Sequence, residues 1–392
     1  MDTTDRRINF DSQGVCHHCR QFDYVKKYKL PPLHLRQSLL DAEILKIKRE
    51  GTGSQYDCVI GLSGGVDSSY LAYLVVKEFG LRPLAIHLDN GWNSLEAVKN
   101  INNIIKRLSI DFQTHVIDWE EFKDLQISYF KSSVLDIEVL TDHAISALIY
   151  KVAKANNIKH VLMGTNRATE QILPLDWRFN KNDLINLTDI HNKFGKSTIK
   201  TFPTMGDKLH QQYEKIDGIE SFSPLNFVDY DKNKAKKILI DELRWQDYGG
   251  KHYESVFTRF YQGYILPRKF NVDKRKAHFA TLINSGIMTR EEALLELKKP
   301  PYPEDLLKKD YDYVIKKLEM SSEEFEALML QKPKSHFFYK TDLRSKLNFI
   351  IYPAIFPYYK KLMVLKHFLK KKFNSILFQR TQAAPQPTKE IH

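Results

Sequence analysis

Hydrophobic and polar residues between positions 56 and 163 follow two alternating patterns. Short apolar runs bounded by glycine or polar residues predict strands, and longer runs with apolar residues every three or four positions predict helices. A regular alternation of strands and helices indicates a parallel sheet with helices on both faces. The predicted order is strand 56–61, helix 68–79, strand 83–88, helix 94–108, strand 112–117, helix 142–156 and strand 160–163.

The pattern changes on either side of this alternating stretch. A helix at 33–49 is predicted after Pro31-Pro32 near the N-terminus, and a strand at 219–222 and a helix at 234–243 are predicted further on. We therefore divide the chain into four parts. They are an N-terminal extension (1–55), an α/β domain (56–248), a helical region (249–330) and a tail rich in lysine and aromatic residues (331–392).

Composition and charge narrow the class of protein. The chain is 42% hydrophobic and 28% charged, as globular enzymes are, and its start shows no apolar signal segment. Three cysteines are too few for a disulfide framework, so a cytoplasmic location is expected. Residues 331–392 hold 13 of the 60 Lys and Arg and 2 of the 48 Asp and Glu. The rest of the chain therefore has 47 basic and 46 acidic residues. A body so nearly neutral argues against a nucleic-acid partner.

The basic tail has its own pattern. Its longest uncharged run, residues 347–359, has 13 residues and two prolines, which is too short to span a bilayer. Residues 360–378 can form an amphipathic helix with a lysine-rich face. Such a helix is compatible with contact with the inner membrane surface, and equally with packing on the protein itself. The last dozen residues are predicted to be disordered.

The loop after the first strand, Leu-Ser-Gly-Gly-Val-Asp-Ser-Ser at 62–69, is the strongest candidate for a binding site. Gly64 and Gly65 allow a sharp turn and a close approach to a ligand. Ser63 and Ser68 add hydroxyl groups, and the start of the next helix adds free N–H groups. The loop therefore predicts an anion site, although it lacks the Gly-Lys-Ser/Thr ending of a Walker A loop. Asp67 is expected to accompany a divalent cation beside bound phosphates, and it can also cap the helix, since the two roles are compatible.

Two other strand ends carry polar residues that would lie at the same edge of the sheet. Asp89 ends the second strand, and Gly164, Thr165 and Asn166 follow the strand at 160–163. Glycine in the second of these loops would again let a ligand approach the backbone.

The string SGGVDSS resembles the PP-loop of the N-type ATP pyrophosphatases, which are similar in fold to the Rossmann-like adenine nucleotide alpha-hydrolases. Members of that superfamily cleave ATP to AMP and pyrophosphate in order to activate a carbonyl or carboxyl oxygen. The resemblance implies ATP and Mg²⁺ as cofactors. It also implies that Asp89 lies beside the adenosine and that Gly164, Thr165 and Asn166 form a second nucleotide-contacting loop.

Residues 249–278 combine cationic, imidazole and aromatic side chains. Such a set suits a nucleotide-sugar, whose diphosphate binds cations and whose uracil stacks on a ring; a solvated basic helix face is the alternative. His252 and Glu254 join Ser63 and Asp67 of the loop at 62–69 as the candidate catalytic residues. The candidate substrate-binding residues are Lys251, Arg259, Lys269 and Arg275.

A narrower resemblance rests on several motifs together. The CxxC turn, the PP-loop, the Gly-Thr-Asn loop and the strings KHYESVFTRF, LPRKFNVDKR and SGIMTREEAL resemble the N-acetyl sugar amidotransferase family of lipopolysaccharide O-antigen biosynthesis. The resemblance implies that an acetamido oxygen of a UDP-linked sugar is adenylated and then replaced by ammonia, which gives an acetamidino group. It also implies separate glutaminase and cyclase-like subunits that supply the ammonia.

Two questions stay open from the sequence. Cys16 and Cys19 have the spacing of metal ligands, but no second CxxC is present, so they are either part of a zinc site completed by distant residues or two free thiols. The alternative functions are a PP-loop tRNA-modifying enzyme, for thiolation or lysidine formation, and a non-catalytic ATP-binding protein.

Overall fold

The computed structural model describes residues 1–351 and contains a five-stranded parallel sheet of order β3-β2-β1-β4-β5. Its strands are β1 (Cys58–Gly61), β2 (Pro83–Asp89), β3 (Asp111–Val116), β4 (His160–Leu162) and β5 (Glu220–Phe222). The chain moves outward from β1 to β3 and then returns to place β4 on the other side of β1. The order therefore reverses between β1 and β4, which is where ligands bind in sheets of this type.

Helices cover both faces of the sheet, so the predicted α/β fold is confirmed. In chain order they are α1 (His17–Tyr28), α2 (Leu33–Glu50), α3 (Val66–Tyr73), α4 (Leu95–Leu108), α5 (Trp119–Ser132), α6 (Val139–Ala155), α7 (Arg167–Glu170), α8 (Leu184–Phe194), α9 (Asp207–Lys215), α10 (Lys232–Leu243), α11 (Val256–Phe260), α12 (Leu266–Phe270), α13 (Lys274–Ser285), α14 (Arg290–Lys298), α15 (Glu304–Lys317) and α16 (Ser322–Leu330). π-helical turns follow α3 at Leu74–Glu78 and join α11 to α12 at Tyr261–Ile265.

The strands separate two buried clusters because successive side chains of a strand point to opposite faces. Val59 and Ile86 belong to the cluster that contains the apolar faces of α5 and α6. Ile60 and Ala85 belong to the other, which contains residues of α2, α3, α4 and α10. Both faces of β1 are therefore buried, and its C-terminal end carries the predicted anion-binding loop.

The helix predicted at 68–79 begins two residues earlier than expected. Gly65 takes an extended conformation (φ −73°, ψ 162°) at the N-cap, and the N–H of Ser69 donates to its carbonyl oxygen (3.0 Å). Asp67 lies inside the first turn, so the expectation that it caps this helix is wrong: the N-cap is Gly65.

Residues Met1–Thr341 form one compact unit. In the second unit, the described residues form a short helix α17 (Leu343–Lys346) and a π-helical turn at Leu347–Ile351, and the Asp342 carboxylate accepts from the Ser345 N–H (2.6 Å). The helix predicted at 360–378 and the predicted disorder of the last dozen residues lie outside the described residues. Within residues 1–351, no helix is both long and apolar enough to cross a bilayer.

Candidate active site

The loop between β1 and α3 has the backbone that the two glycines predict. Gly64 has a φ of +78°, and a Cβ on it would lie 2.5 Å from the Ala97 carbonyl oxygen, so glycine alone fits. The hydroxyls of Ser63 and Ser68 hydrogen-bond to each other (3.0 Å), and the Gly65 N–H donates to Ser63 Oγ (3.3 Å). Hydroxyl and amide groups therefore meet at the N-terminus of α3, where an anion is favoured.

The outer side of this loop is held by residues that the sequence analysis missed. The indole N–H of Trp245 donates to the Gly64 carbonyl (2.9 Å), and the Asn100 amide reaches the same oxygen (3.4 Å). The hydroxyl of Tyr248 accepts from the Val66 N–H (3.2 Å). These bonds fix the loop to α4 and to the segment that follows α10.

Asp67 is the centre of a charged cluster beside the loop. The hydroxyl of Tyr230 donates a short hydrogen bond to its carboxylate. Burial raises the pKa of Asp67, whereas the charge of Lys232 and the bond from Tyr230 act to lower it. Burial also lowers the pKa of Lys232, whose ammonium group has no hydrogen bond or ion pair within residues 1–351. No motif in the sequence indicated Tyr230 or Lys232, although Asp231 marks the start of α10 as an N-cap.

Three of the predicted residues from 249–278 lie at this cluster. Lys251 forms an ion pair with Glu170 (3.3 Å), and His252 Nδ1 lies 3.5 Å from Glu254 Oε1. A Cβ on Gly65 would be 3.3 Å from Glu254 Oε1, so this carboxylate stands directly against the anion-binding loop. The second oxygen of Glu254 is buried and has no partner within residues 1–351.

The segment that carries Glu254 is tied to the end of β2. Asn93 and Ser255 form an isolated antiparallel bridge. The Ser94 N–H donates to the Glu254 carbonyl (2.9 Å), and the Val256 N–H donates to the Trp92 carbonyl (2.8 Å). Burial acts to raise the pKa of Glu254, but the contact with His252 brings it below the ordinary value. Glu254 is therefore an ionised carboxylate held in a fixed position.

The Gly-Thr-Asn loop also reaches the cluster. A Cβ on Gly164 would lie 3.2 Å from the Asp67 backbone, so this loop packs on the first turn of α3. Thr165 Oγ1 lies 2.9 Å from Ser223 Oγ, and Asn166 Oδ1 accepts from the Thr169 N–H (2.9 Å) as the N-cap of α7. The buried Nδ2 of Asn166 has no partner in the described part of the chain.

Asp89 lies at the same edge, at the end of β2. Its carboxylate accepts from the Gly91 N–H (2.9 Å) and from Asn93 Nδ2 (3.1 Å). His87 connects this turn to the anion-binding loop, because its Nδ1 lies 2.9 Å from the Leu62 carbonyl oxygen and its Nε2 lies 3.0 Å from Asn93 Nδ2. The three predicted strand ends therefore do meet at one edge of the sheet.

The other predicted substrate-binding cations have protein partners instead. Arg259 makes a double salt bridge to Asp310 (2.6 and 2.8 Å), Lys269 donates to the Leu328 carbonyl, and Arg275 pairs with Asp273 (2.7 Å). The bonds of Arg259 and Lys269 join helices of the C-terminal region, and that of Arg275 is local to the start of α13. Of the four predicted cations, Lys251 is the one at the cluster.

The two cysteines of the CxxC turn are close together and free. Their sulfur atoms are 3.5 Å apart, and Asn284 Nδ2 lies 3.6 Å from Cys19 Sγ. Burial raises the pKa of Cys19. Within residues 1–351, two sets of three His, Asp or Glu side chains have ligand atoms within 4.8 Å of one another: Asp5, His17 and His18, and Glu43, His160 and Glu220. Neither set includes Cys16 or Cys19. A zinc site at the cysteines remains a prediction.

Two family profiles match separate parts of the chain. "NAD synthase" matches residues 42–176, which contain the PP-loop, Asp89 and the Gly-Thr-Asn loop. "LPS biosynthesis protein WbpG-like, C-terminal domain" matches residues 254–351. The second match begins at Glu254, the residue whose carboxylate stands against Gly65.

Individual relatives match different shares of the chain. The uncharacterized protein MJ1599 of Methanocaldococcus jannaschii is 25% identical over 311 residues, which cover 77% of this chain and 92% of the relative. The NH(3)-dependent NAD(+) synthetase of Methanococcoides burtonii is 28% identical over 138 residues, or 33% of this chain and 50% of that protein. The solved NH3-dependent NAD synthetase of Campylobacter jejuni superposes with a TM-score of 0.34 at 13% identity, covering 76% of this chain and 98% of that one.

Proposed function

We propose that this protein, which matches the NAD synthase profile at residues 42–176 and the WbpG-like lipopolysaccharide biosynthesis profile at residues 254–351, converts an acetamido group of a nucleotide-linked N-acetyl sugar into an acetamidino group. As a PP-loop enzyme related to the NAD synthetases, it is an ATP-dependent C–N ligase that forms AMP and pyrophosphate. The O-antigen pathway, a UDP carrier and the N-acetyl sugar itself are parts of the proposal.

One contact supports the proposal most directly. The carboxylate of Glu254, from the region matched by the WbpG-like domain, stands 3.3 Å from the position of a Cβ on Gly65 in the PP-loop. The nucleotide loop and the candidate substrate region therefore contribute to a single site. A substrate held by the C-terminal region would be presented to the phosphates of ATP.

The charges around the loop suit a triphosphate. Amide groups at Gly64 and Gly65, the hydroxyls of Ser63 and Ser68, and the ammonium groups of Lys232 and Lys251 would bind the pyrophosphate end. Asp67 and the unpartnered oxygen of Glu254 fit Mg²⁺, which prefers carboxylate oxygens and which would neutralise charge on the departing pyrophosphate. Asp89 and the Gly164–Asn166 loop would contact the nucleoside of ATP.

The acetamido oxygen must be converted into a leaving group before ammonia can replace it. The acetamido oxygen attacks the α-phosphorus of ATP, and the bond to pyrophosphate breaks. Ammonia then attacks the activated carbon, loses a proton and displaces AMP, which carries away the original acetamido oxygen. His252, whose Nδ1 lies 3.5 Å from Glu254 Oε1, is placed to accept that proton.

The test is mass spectrometry of UDP-linked N-acetyl sugars after incubation with ATP, Mg²⁺ and an ammonium salt. Replacement of an oxygen by NH lowers the product mass by about 1 Da, and AMP and pyrophosphate should appear with it. Ser63→Ala and Asp67→Ala should lose pyrophosphate release, while the control Asp41→Ala, at an exposed position on α2, keeps it. Normal turnover in both loop variants would refute the catalytic assignment, and AMP release that requires tRNA instead of a sugar would favour the tRNA-modifying alternative.

Further parts of the proposal concern partners and location. We propose separate glutaminase and cyclase-like subunits as the ammonia source, a cytoplasmic enzyme that can lie at the inner membrane face through its tail, and zinc at Cys16 and Cys19. The sulfur separation of 3.5 Å supports the last, because two thiolates on one tetrahedral zinc lie at about that spacing. Metal analysis of the purified protein and of Cys16→Ser tests it.

A further inference from the structure

The side chain of His87 lies between the two ends of the candidate ATP site. It is buried (8% exposed) near the C-terminal end of β2, and both of its ring nitrogens have partners. Nδ1 lies 2.9 Å from the Leu62 carbonyl oxygen, and Nε2 lies 3.0 Å from Asn93 Nδ2. Leu62 immediately precedes Ser63 of the PP-loop, and Asn93 is bonded to Asp89. One imidazole therefore connects the loop assigned to the phosphates with the carboxylate assigned to the nucleoside.

The partners fix the direction of each hydrogen bond. The Leu62 carbonyl can only accept, so the proton of the imidazole is on His87 Nδ1. Asn93 Nδ2 donates one hydrogen to Asp89 Oδ1 (3.1 Å), and its second hydrogen is therefore available to His87 Nε2, which accepts it. The Leu62 carbonyl, the His87 ring, the Asn93 amide and the Asp89 carboxylate thus form one chain of hydrogen bonds, here called the His87 relay.

The His87 relay requires a neutral imidazole. Burial lowers the pKa of His87, and it outweighs the Leu62 bond and the charge of Asp89, which act to raise it. A second proton, on Nε2, would point at the amide hydrogens of Asn93. The ring of Phe112 on β3 lies nearly parallel to the imidazole, with centroids 6.3 Å apart and planes at 18°. The imidazole is therefore held in one tautomer and one orientation.

At one end, the His87 relay holds the point where β1 leaves the sheet. Gly61 is the last residue of β1 that pairs with β2. The N–H of Leu62 still donates to the Ile86 carbonyl (2.8 Å), but its carbonyl accepts from the side chain of His87. Ser63 follows with the first hydroxyl of the anion-binding loop. The bond from His87 therefore fixes the position from which the PP-loop starts.

At the other end, the His87 relay orients the carboxylate of Asp89. The Gly91 N–H and Asn93 Nδ2 both donate to Oδ1, so within residues 1–351 Oδ2 is the oxygen left for a ligand. The backbone of Asn93 also forms the bridge to Ser255, the residue after Glu254. The position of Asp89 is thereby set relative to the PP-loop on one side and to the C-terminal region on the other.

We propose that His87 is a positioning residue that fixes the distance between the phosphate and nucleoside ends of the ATP site, so that one ATP molecule occupies both ends at once. The proposal rests on the roles proposed above for the PP-loop and Asp89. A ligand that contacts two correctly spaced sites binds more tightly than either of its parts, and this gain is lost when the spacing changes. His87 acts on the nucleotide through Leu62 and Asn93.

The test compares an ATP analogue with its two parts by isothermal titration calorimetry of the full chain with Mg²⁺. The probes are AMP, pyrophosphate and α,β-methylene-ATP, in which a carbon bridge prevents the release of pyrophosphate. Asparagine has an amide nitrogen where histidine has Nδ1, so His87→Asn can keep the bond to Leu62 but does not reach Asn93. It should weaken binding of the ATP analogue about tenfold and change the affinities for AMP and pyrophosphate by less than about twofold.

A second variant cuts the same bond from its other side. Asn93 is half-buried, and its bridge to Ser255 uses backbone atoms, so Asn93→Ala leaves that bridge in place. It should show the same pattern as His87→Asn, and the double variant should bind the analogue no more weakly than either single variant, because both remove one connection. The control is His115→Asn, at a half-buried histidine on β3, which should leave all three affinities unchanged.

The outcomes separate this inference from the proposed function. Normal affinity for the ATP analogue in either variant, or a loss shared equally by the analogue and both fragments, would overturn the inference and leave His87 with a structural role only. Wild-type protein that binds neither AMP nor pyrophosphate would refute the assignment of the two ends, and the inference with it. A failure to modify any sugar would instead refute the proposed function, and this binding test does not depend on a sugar.

Discussion

The hydroxyl of Tyr230 donates a hydrogen bond to the carboxylate of Asp67, which joins the connection after β5 to the PP-loop helix. This bond and the charge of Lys232 oppose the burial that raises the pKa of Asp67. The carboxylate is thereby kept available for a cation at the position where pyrophosphate would leave. Three predictions follow from the surroundings of Asp67.

Tyr230→Phe should lower kcat/KM for ATP about tenfold. The variant removes a hydrogen bond to a charged group, typically worth about 1.5 kcal/mol or more, and lets the pKa of Asp67 rise further. The acidic limb of the pH profile for pyrophosphate release should accordingly move to higher pH. Tyr73→Phe, at a half-buried tyrosine on α3, is the control, and equal profiles for both variants would contradict the role given to Tyr230.

Gly64→Ala should abolish pyrophosphate release, whereas Gly53→Ala should not. Both glycines have nearly the same positive φ, +78° and +79°, so both variants carry a backbone cost of about 1 kcal/mol. A Cβ on Gly64 would also meet the Ala97 carbonyl at 2.5 Å, while one on Gly53 would meet nothing within 4 Å. Chemical denaturation and pyrophosphate assays on the pair isolate the clash, and equal activity in both would refute the close packing of the loop.

Lys232→Met should weaken ATP binding without destabilising the fold. The ammonium group is half-buried and has no hydrogen bond or ion pair in the described residues, so the relief of its burial should offset the loss of its attraction to Asp67 and the free energy of unfolding should change little. The KM for ATP should rise at least tenfold, because a charge-assisted bond to phosphate is lost. The matched change at the exposed Lys237 should affect neither quantity, and a normal KM in Lys232→Met would remove Lys232 from the phosphate site.

Local patterns made much of this architecture predictable. The strands and the PP-loop are specified by neighbouring residues: apolar runs for β1 and β2, and the Gly64-Gly65 pair for the turn. Because parallel strands end at one edge, Asp89 and the Gly-Thr-Asn loop could be placed near the PP-loop before any coordinates were known.

Residues that reach the site through long-range packing were not predictable in this way. Tyr230 and Trp245 are ordinary aromatic residues in the sequence, and their role depends on how the segment after β5 folds back on α3. Arg259 shows the converse difficulty. The cationic and aromatic composition of its segment suggested a phosphate ligand, but Asp310, 51 residues away, forms a double salt bridge with it. A sequence shows which charges are present and not which of them already have partners.

Acid should destabilise the fold before the carboxylates are protonated. Burial lowers the pKa of His278 and of His336 from 6.5 to about 3, so between those values the unfolded chain binds protons that the folded chain excludes. The free energy of unfolding should therefore fall as the pH drops below 6.5, by up to about 1.4 kcal/mol per pH unit for each histidine.

Denaturant titrations at pH 4.5, 5.5 and 6.5 measure this slope. His278→Gln should reduce the slope of the free energy of unfolding against pH by the contribution of one bound proton. His34→Gln, at an exposed position on α2, should leave the slope unchanged. A slope that does not change in His278→Gln would show that this side chain is protonated in the folded protein.

The central claim is that the acetamido oxygen is transferred to the α-phosphorus of ATP. A nucleotide-linked sugar carrying ¹⁸O in its acetamido group, incubated with the enzyme, ATP, Mg²⁺ and ammonium, tests it most directly by mass spectrometry of the nucleotide product. The account predicts AMP that is about 2 Da heavier than normal and an amidino sugar without label. Unlabelled AMP, with the ¹⁸O retained in the sugar or released to water, would contradict it.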